Sequence, residues 1–292
     1  MGIVREHMSK LDKESLNPEY SHLYEYAEGT AASAKRLDDI IGLLRKHCPW
    51  DKVQTHQSLR KCLLEEAYET ADAIDKEDND NLREELGDVV LQVVLHSIIA
   101  SEEGHFDLSD VLNEECDKMI RRHPHIFSAF EAKTVDKVLE KWENIKSKEH
   151  GTITHTNRLR DVPLALPALT RSAKVQKRAA DVGFDWDDIE APIGKVREEL
   201  DEFLDANKKG DHSAMTDELG DLLFSVVNVS RFAGIDPEEA LGKATEKFIK
   251  RFEMLEKSAS RRGLDLKDMT LAEMDKLWDE IKHVSYLVFK ED

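Results

Sequence analysis

The phrase "LREELGDVV" around Glu85 recurs as "MTDELGDLL" around Glu218. Each copy sets a Glu and an Asp three residues apart, Glu85 with Asp88 and Glu218 with Asp221. An upstream helical stretch adds Glu66 with Glu69, and again Glu199 with Glu202. Residues three apart on a helix differ by about 60° in direction, so each pair shares one side of its helix. If the two helices fold back antiparallel at about 8–10 Å, the pairs face each other as four carboxylates. Facing carboxylates repel one another and lose hydration, and a hard divalent cation relieves both penalties. Mg²⁺ prefers such oxygen ligands, Mn²⁺ can substitute for it, and both leave positions for water and phosphate oxygens.

In a chain with 61 acidic residues, one such pair is a common solvated helix face. Duplication changes its weight. Glu65, Glu66, Glu69, Glu85 and Asp88 match Glu198, Glu199, Glu202, Glu218 and Asp221 at one constant offset, without a gap. Further along, "KMIRR" at 118–122 matches "KFIKR" at 247–251, and "KWENIK" at 141–146 matches "LWDEIK" at 277–282. The chain therefore carries two copies of one unit.

The matched basic residues, Lys118, Arg121 and Arg122 with Lys247, Lys250 and Arg251, are candidate phosphate donors. Late-helix Lys and Arg also suit the helix dipole. Trp50 in "CPWDK" and Trp186 in "GFDWDD" precede the acidic helices in loop-like positions and are candidates to stack on a base, whereas Trp142 and Trp278 read as core or interface residues. His96 continues the acidic side of its helix, but its counterpart is Val229, so it falls outside a shared mechanism. Gly87 and Gly220 each cost about 1 kcal/mol relative to alanine, which fits a place where a side chain would push away a partner helix or substrate.

The elements that must position these residues are helices. Nearly every periodic segment has helical spacing, and the expected class is all-α, with helices near 30–46, 59–76, 82–100, 108–121, 135–149, 165–181, 188–206, 213–233, 237–257 and 271–284. Breakers such as "HCPWDKVQTH", "DKEDNDN", "ANKKGDHS" and "GIDPEE" fall between them. The expected division is an N-terminal extension over 1–30, a first unit over 31–150, a polar linker over 151–163 and a second unit over 164–292.

A formal net charge of -19 argues against nucleic acid and anionic membrane as partners. Cys48, Cys62 and Cys116 are odd in number and lack metal-site spacing, which suggests a reduced, cytoplasmic protein. No apolar run reaches the about 18 residues of a membrane span, and the opening residues do not resemble a signal peptide. Walker A, dinucleotide-binding and G-x-S-x-G motifs do not occur.

The order and spacing of these segments resemble the MazG family of nucleoside triphosphate pyrophosphohydrolases in its tandem-domain bacterial form. The first copy matches through "CPWDKVQTHQSL", "LLEEAYE", "REELGDVVLQVVLH" and "KMIRRHPHIF". The second matches through "RSAKVQKRAADVGFDWD", "EELDE", "DELGDLLFSVVN" and "FIKRFE". The resemblance implies two tandem all-α units and a homodimer in which both subunits build each site. It also implies Mg²⁺-dependent hydrolysis of nucleoside triphosphates to monophosphate and pyrophosphate.

The family motif places metal ligands at Glu66, Glu69, Glu85 and Asp88, and at Glu199, Glu202, Glu218 and Asp221. Glu65 and Glu198, the extra acid of each motif, are then the candidates to orient or deprotonate a water for attack at the α-phosphorus. The chain departs from the family pattern at Thr245, where asparagine is usual, and at Lys250, where arginine is usual. Neither change touches a carboxylate. A nucleotide-sensing module with little turnover and a purely structural helical repeat are the alternative readings.

Overall fold

The computed structural model describes residues 16–128, 134, 137–138 and 154–288, with the side chains of 283–288 excepted. The chain divides into two compact units at Glu149 and His150. The described residues form helices and no strand. Apart from residues 137 and 138, which are helical, the expected helix over 135–149, with Trp142 and the "KWENIK" match, lies outside the described residues.

The first unit contains α1 (Thr30–His47), α2 (His56–Asp75), α3 (Asn79–Glu102) and α4 (Leu108–Arg122). Helix α2 begins three residues earlier than its apolar period suggests. Thr55 accepts from the Ser58 amide while Ser58 returns the bond, which supplies partners for amides that a bare helix start leaves open. Asp78 likewise starts α3 by accepting from the Asp80 and Asn81 amides. A tight turn between α2 and α3 packs them as a hairpin, and α1 closes over α3. Ile41, Leu59, Val94, Leu95 and Ile99 form the buried centre. Within the expected extension, residues 18–24 form short helical turns, and Arg36 Nε donates to the Leu23 carbonyl at 2.8 Å.

The second unit contains α5 (Ala168–Ala180), α6 (Glu190–Lys209), α7 (His212–Phe232), α8 (Pro237–Arg261) and α9 (Leu271–Val288). Its α6–α7 hairpin repeats α2–α3, with α5 packed on α7. Asp211 accepts from the Ser213 and Ala214 amides, as Asp78 does in the first unit. Leu255 and Ala259 of α8 bury against Leu277 and Ile281 of α9. The stretch expected to link the copies carries, over its described part, a short helix His155–Arg160 packed on α5 and a fully buried Val162.

The apolar side of α3 divides between two environments. Val94 is buried, but Leu86, Val90 and Val93 remain exposed. Their counterparts on α7, Leu219, Leu223 and Val226, are exposed as well. The periodic pattern identified an apolar stripe, but half of it lies outside the core of its own unit.

Candidate functional site

Each hairpin gathers carboxylates. On α2 and α3, Glu66, Glu85 and Asp88 each offer an oxygen, and the three lie within 4.8 Å of one another. Glu69 is outside this trio but near enough to press on it. The Glu66 carboxyl is held above its ordinary range, first by desolvation and then by repulsion from Asp88, Glu69 and Glu85. Glu85 is raised in the same way, by desolvation and then by Glu69, Asp88 and Glu84. A group of half-buried carboxylates with such shifts favours any positive charge placed among them.

On α6 and α7 the trio is Glu199, Glu202 and Glu218, again within 4.8 Å, and the exposed Asp221 stands outside it. Glu199 is 4% exposed. It is held by Lys195, whose Nζ lies 2.6 Å from Glu199 Oε1 and 2.9 Å from Glu198 Oε1. These partners raise the Lys195 ammonium well above its ordinary range, the Glu199 hydrogen bond first. Glu202 is raised by desolvation and then by Glu218 and Glu199, with Lys195 opposing them. Each hairpin thus assembles three of its four expected acids, and not the same three. Either trio has the donor chemistry and spacing for a divalent cation.

The extra acids of the motif are exposed and salt-bridged. Glu65 pairs with Lys61 at 2.8 Å, while Glu198 shares Lys195. Trp50 is 58% exposed and Trp186 is 43% exposed, so both offer ring surface. Each loop is braced from below by an arginine. Arg45 donates to the Asp51 and Gln54 carbonyls and pairs with Glu102, and Arg231 pairs with Asp185 beside Trp186. Lys118 is turned to Glu115 and, with Arg121, lines a shallow acidic depression beside Phe106; Arg122 ends the same helix. Lys247 and Lys250 are exposed, and Arg251 is half-buried with an unpartnered Nε.

A Cβ added at Gly87 or Gly220 would meet nothing within 4 Å. The glycines therefore do not serve close packing of the hairpin itself.

Two features escaped the sequence reading. Lys195 was visible, but its grip on Glu199 was not inferred from the i, i+4 spacing that carries it. His56 and His96 stack with parallel rings, Nδ1 to Nδ1 at 2.7 Å, and bind the start of α2 to α3; nothing in a single sequence pairs residues so far apart. Trp278, expected as a core or interface residue, lies half-buried against Phe248, with ring centroids 5.2 Å apart, where Phe248 also stacks with Phe252.

The MazG nucleotide pyrophosphohydrolase domain model matches residues 54–127 and 189–255, which contain both carboxylate sets. The nucleoside triphosphate pyrophosphohydrolase of Escherichia coli (strain K12) is 44% identical over 252 residues, covering 85% of this chain and 96% of that protein. The nucleoside triphosphate pyrophosphohydrolase/pyrophosphatase MazG of Thermotoga maritima is 43% identical over 251 residues, covering 84% and 95%. The uncharacterized protein YabN of Bacillus subtilis is 48% identical over 236 residues, covering 80% of this chain and 48% of that protein. With one acid-bearing hairpin inside each matched segment, the chain belongs to the MazG nucleotide pyrophosphohydrolase family.

Proposed function

We propose that this chain hydrolyses nucleoside triphosphates to nucleoside monophosphate and pyrophosphate with Mg²⁺, or Mn²⁺ in its place. The observation that carries the reading is the pair of carboxylate trios built on matching hairpins, the second with the Lys195 ammonium against one of its three acids. Glu66, Glu85 and Asp88, with Glu69 beside them, would hold a cation in the first unit. Glu199, Glu202 and Glu218, with Asp221 at the edge, would hold one in the second. The bound ion supplies Lewis-acid polarisation and offsets triphosphate charge. Glu65 or Glu198 orients a water and takes its proton. The water oxygen bonds to the α-phosphorus, and the bond from that phosphorus to the bridging oxygen breaks to release pyrophosphate.

Lys118, Arg121, Arg122, Lys247, Lys250 and Arg251 are assigned to the phosphates. Trp50 and Trp186 are assigned to the base. The cysteine pattern supports a cytoplasmic setting, and the charge of -19 argues against a nucleic-acid partner. Among the described residues no helix is long and apolar enough to cross a membrane.

The test is product identity. ATP with Mg²⁺ is expected to yield AMP and pyrophosphate, and ADP with phosphate would overturn the assignment.

The same reading includes a homodimer. Leu86, Val90 and Val93, repeated as Leu219, Leu223 and Val226, are exposed beside glycines with open space above them, as suits a face covered by a second copy. Val90→Asp with Leu223→Asp is expected to convert a dimer to a monomer in light scattering. An unchanged mass would remove the dimer from the proposal.

A further inference from the structure

The two carboxylate groups differ in one position that lies inside the repeat. Lys195 stands three and four residues before Glu198 and Glu199, one helical turn away, and its ammonium contacts both. The ungapped counterpart of Lys195 is Cys62. In the first unit the neighbouring Lys61 reaches only Glu65, with a side chain 82% exposed, and every neighbour that shifts Glu66 or Glu85 is another acid. Among the described residues, one acidic group therefore has a counter-charge of its own, and the other does not.

We propose that Lys195 is a built-in counter-cation that competes with the divalent ion for Glu199, so that the second unit binds metal more weakly than the first in the absence of nucleotide. The inference rests on the metal-binding reading of the carboxylate trios. The Lys195 ammonium, 2.6 Å from a carboxylate oxygen, already neutralises the most buried ligand of its trio. A dication drawn to the same carboxylate must either displace that ammonium or stand a few ångström from it. Repulsion at that range, partly screened by solvent, corresponds to about tenfold in affinity. Lys195 is thus a positioning residue that holds Glu199 in place while the site is empty and sets how readily the ion enters.

The test is nucleotide-free Mn²⁺ titration of the full chain, by calorimetry and by electron paramagnetic resonance, with one unit silenced at a time. Glu66→Gln with Glu85→Gln isolates the second unit, and Glu202→Gln with Glu218→Gln isolates the first. In the second-unit background, Lys195→Cys is expected to tighten Mn²⁺ about tenfold, whereas Lys195→Arg leaves it weak. In the first-unit background, Cys62→Lys is expected to weaken Mn²⁺ by a similar factor. Melting in EDTA checks that each variant is folded, and the Cys62→Lys arm stands independently of whether Lys195→Cys folds. Mn²⁺ binding that ignores both exchanges overturns the inference and leaves the proposed function standing. Failure of the parent chain to bind Mn²⁺ overturns both.

Discussion

In the first unit Glu66 and Glu85 are surrounded by like charge, whereas in the second Lys195 lies among Glu198, Glu199 and Glu202. The acidic motif and the hairpin are the same, whereas the three acids that converge and the counter-charge beside them are not. The arginine braces differ in a similar way. In the first unit the arginine comes from α1 and the acid from the end of α3; in the second the arginine comes from α7 and the acid from the loop. The duplicated unit keeps the geometry that converges oxygens and varies the positive groups that support it. Equal acidic motifs therefore do not imply equal affinity or equal turnover.

The largest effect tests whether both units work. Glu85→Gln removes a carboxylate from the first trio and Glu218→Gln removes one from the second, with little change in shape. Together they are expected to lower pyrophosphate release by about a hundredfold or more, the scale at which loss of a charge-stabilising group is felt. Each alone is expected to remove only its own unit's share. A single variant as inactive as the double would break the comparison, because one unit would then carry all the chemistry.

The arginine braces give a smaller, structural contrast. Arg45 is 8% exposed and holds two loop carbonyls as well as Glu102, so Arg45→Met leaves two half-buried carbonyls without that donor and removes the ion pair. About 2–4 kcal/mol of local stability is expected to go. Arg231→Met, at a more exposed arginine that holds no loop carbonyl, is expected to cost about 1–2 kcal/mol. Hydrogen exchange resolved by peptide separates the two units.

The pH dependence has a definite sign. Glu102 is lowered by its Arg45 hydrogen bond and Asp185 by its Arg231 hydrogen bond, so each folded-state value lies below the unfolded one. The stability they add is complete above the unfolded acid values and is lost as pH falls through the folded ones. Protection near Trp50 and Trp186, with the intrinsic pH dependence of amide exchange divided out, should therefore fall on acidification. Glu102→Gln or Asp185→Asn should flatten that response in its own unit alone.

Much of this was readable because a helix converts spacing into direction. Glu66 with Glu69, and Glu85 with Asp88, had to share sides, and repetition at a constant offset separated them from the many solvated acids of the chain. Helix starts were missed at His56 and Asn79 because the apolar period begins after the cap, whereas Thr55 and Asp78 fix where the amides first find partners. The divided fate of the α3 stripe could not be read, since hydrophobicity states that Val90 and Val94 avoid water but not which surface covers each. The grip of Lys195 on Glu199 depends on a rotamer choice among several nearby acids. The His56–His96 stack depends on the fold that brings α2 to α3.

The smallest contrast lies in the turn that closes each hairpin, and it is the most direct to interpret. After α2 the chain closes with the Glu77 amide on the Ile74 carbonyl and the Asp78 amide on the Ala73 carbonyl. After α6 the Gly210 and Asp211 amides close on Asn207 and Ala206 in the same pattern. The pattern requires a left-handed residue, and the two units fill it differently: Glu77 has φ 53° and Gly210 has φ 68°. A side chain in that region costs about 1 kcal/mol, whereas glycine avoids the clash but loses more chain entropy on folding. Glu77→Gly is therefore expected to stabilise the first hairpin by up to about 1 kcal/mol, and Gly210→Ala to destabilise the second by about 1 kcal/mol. Opposite signs in urea titrations followed by peptide-resolved exchange would establish the turn as an independent point of difference. A loss of stability in Glu77→Gly would mean that the Glu77 side chain contributes a contact large enough to offset its backbone strain.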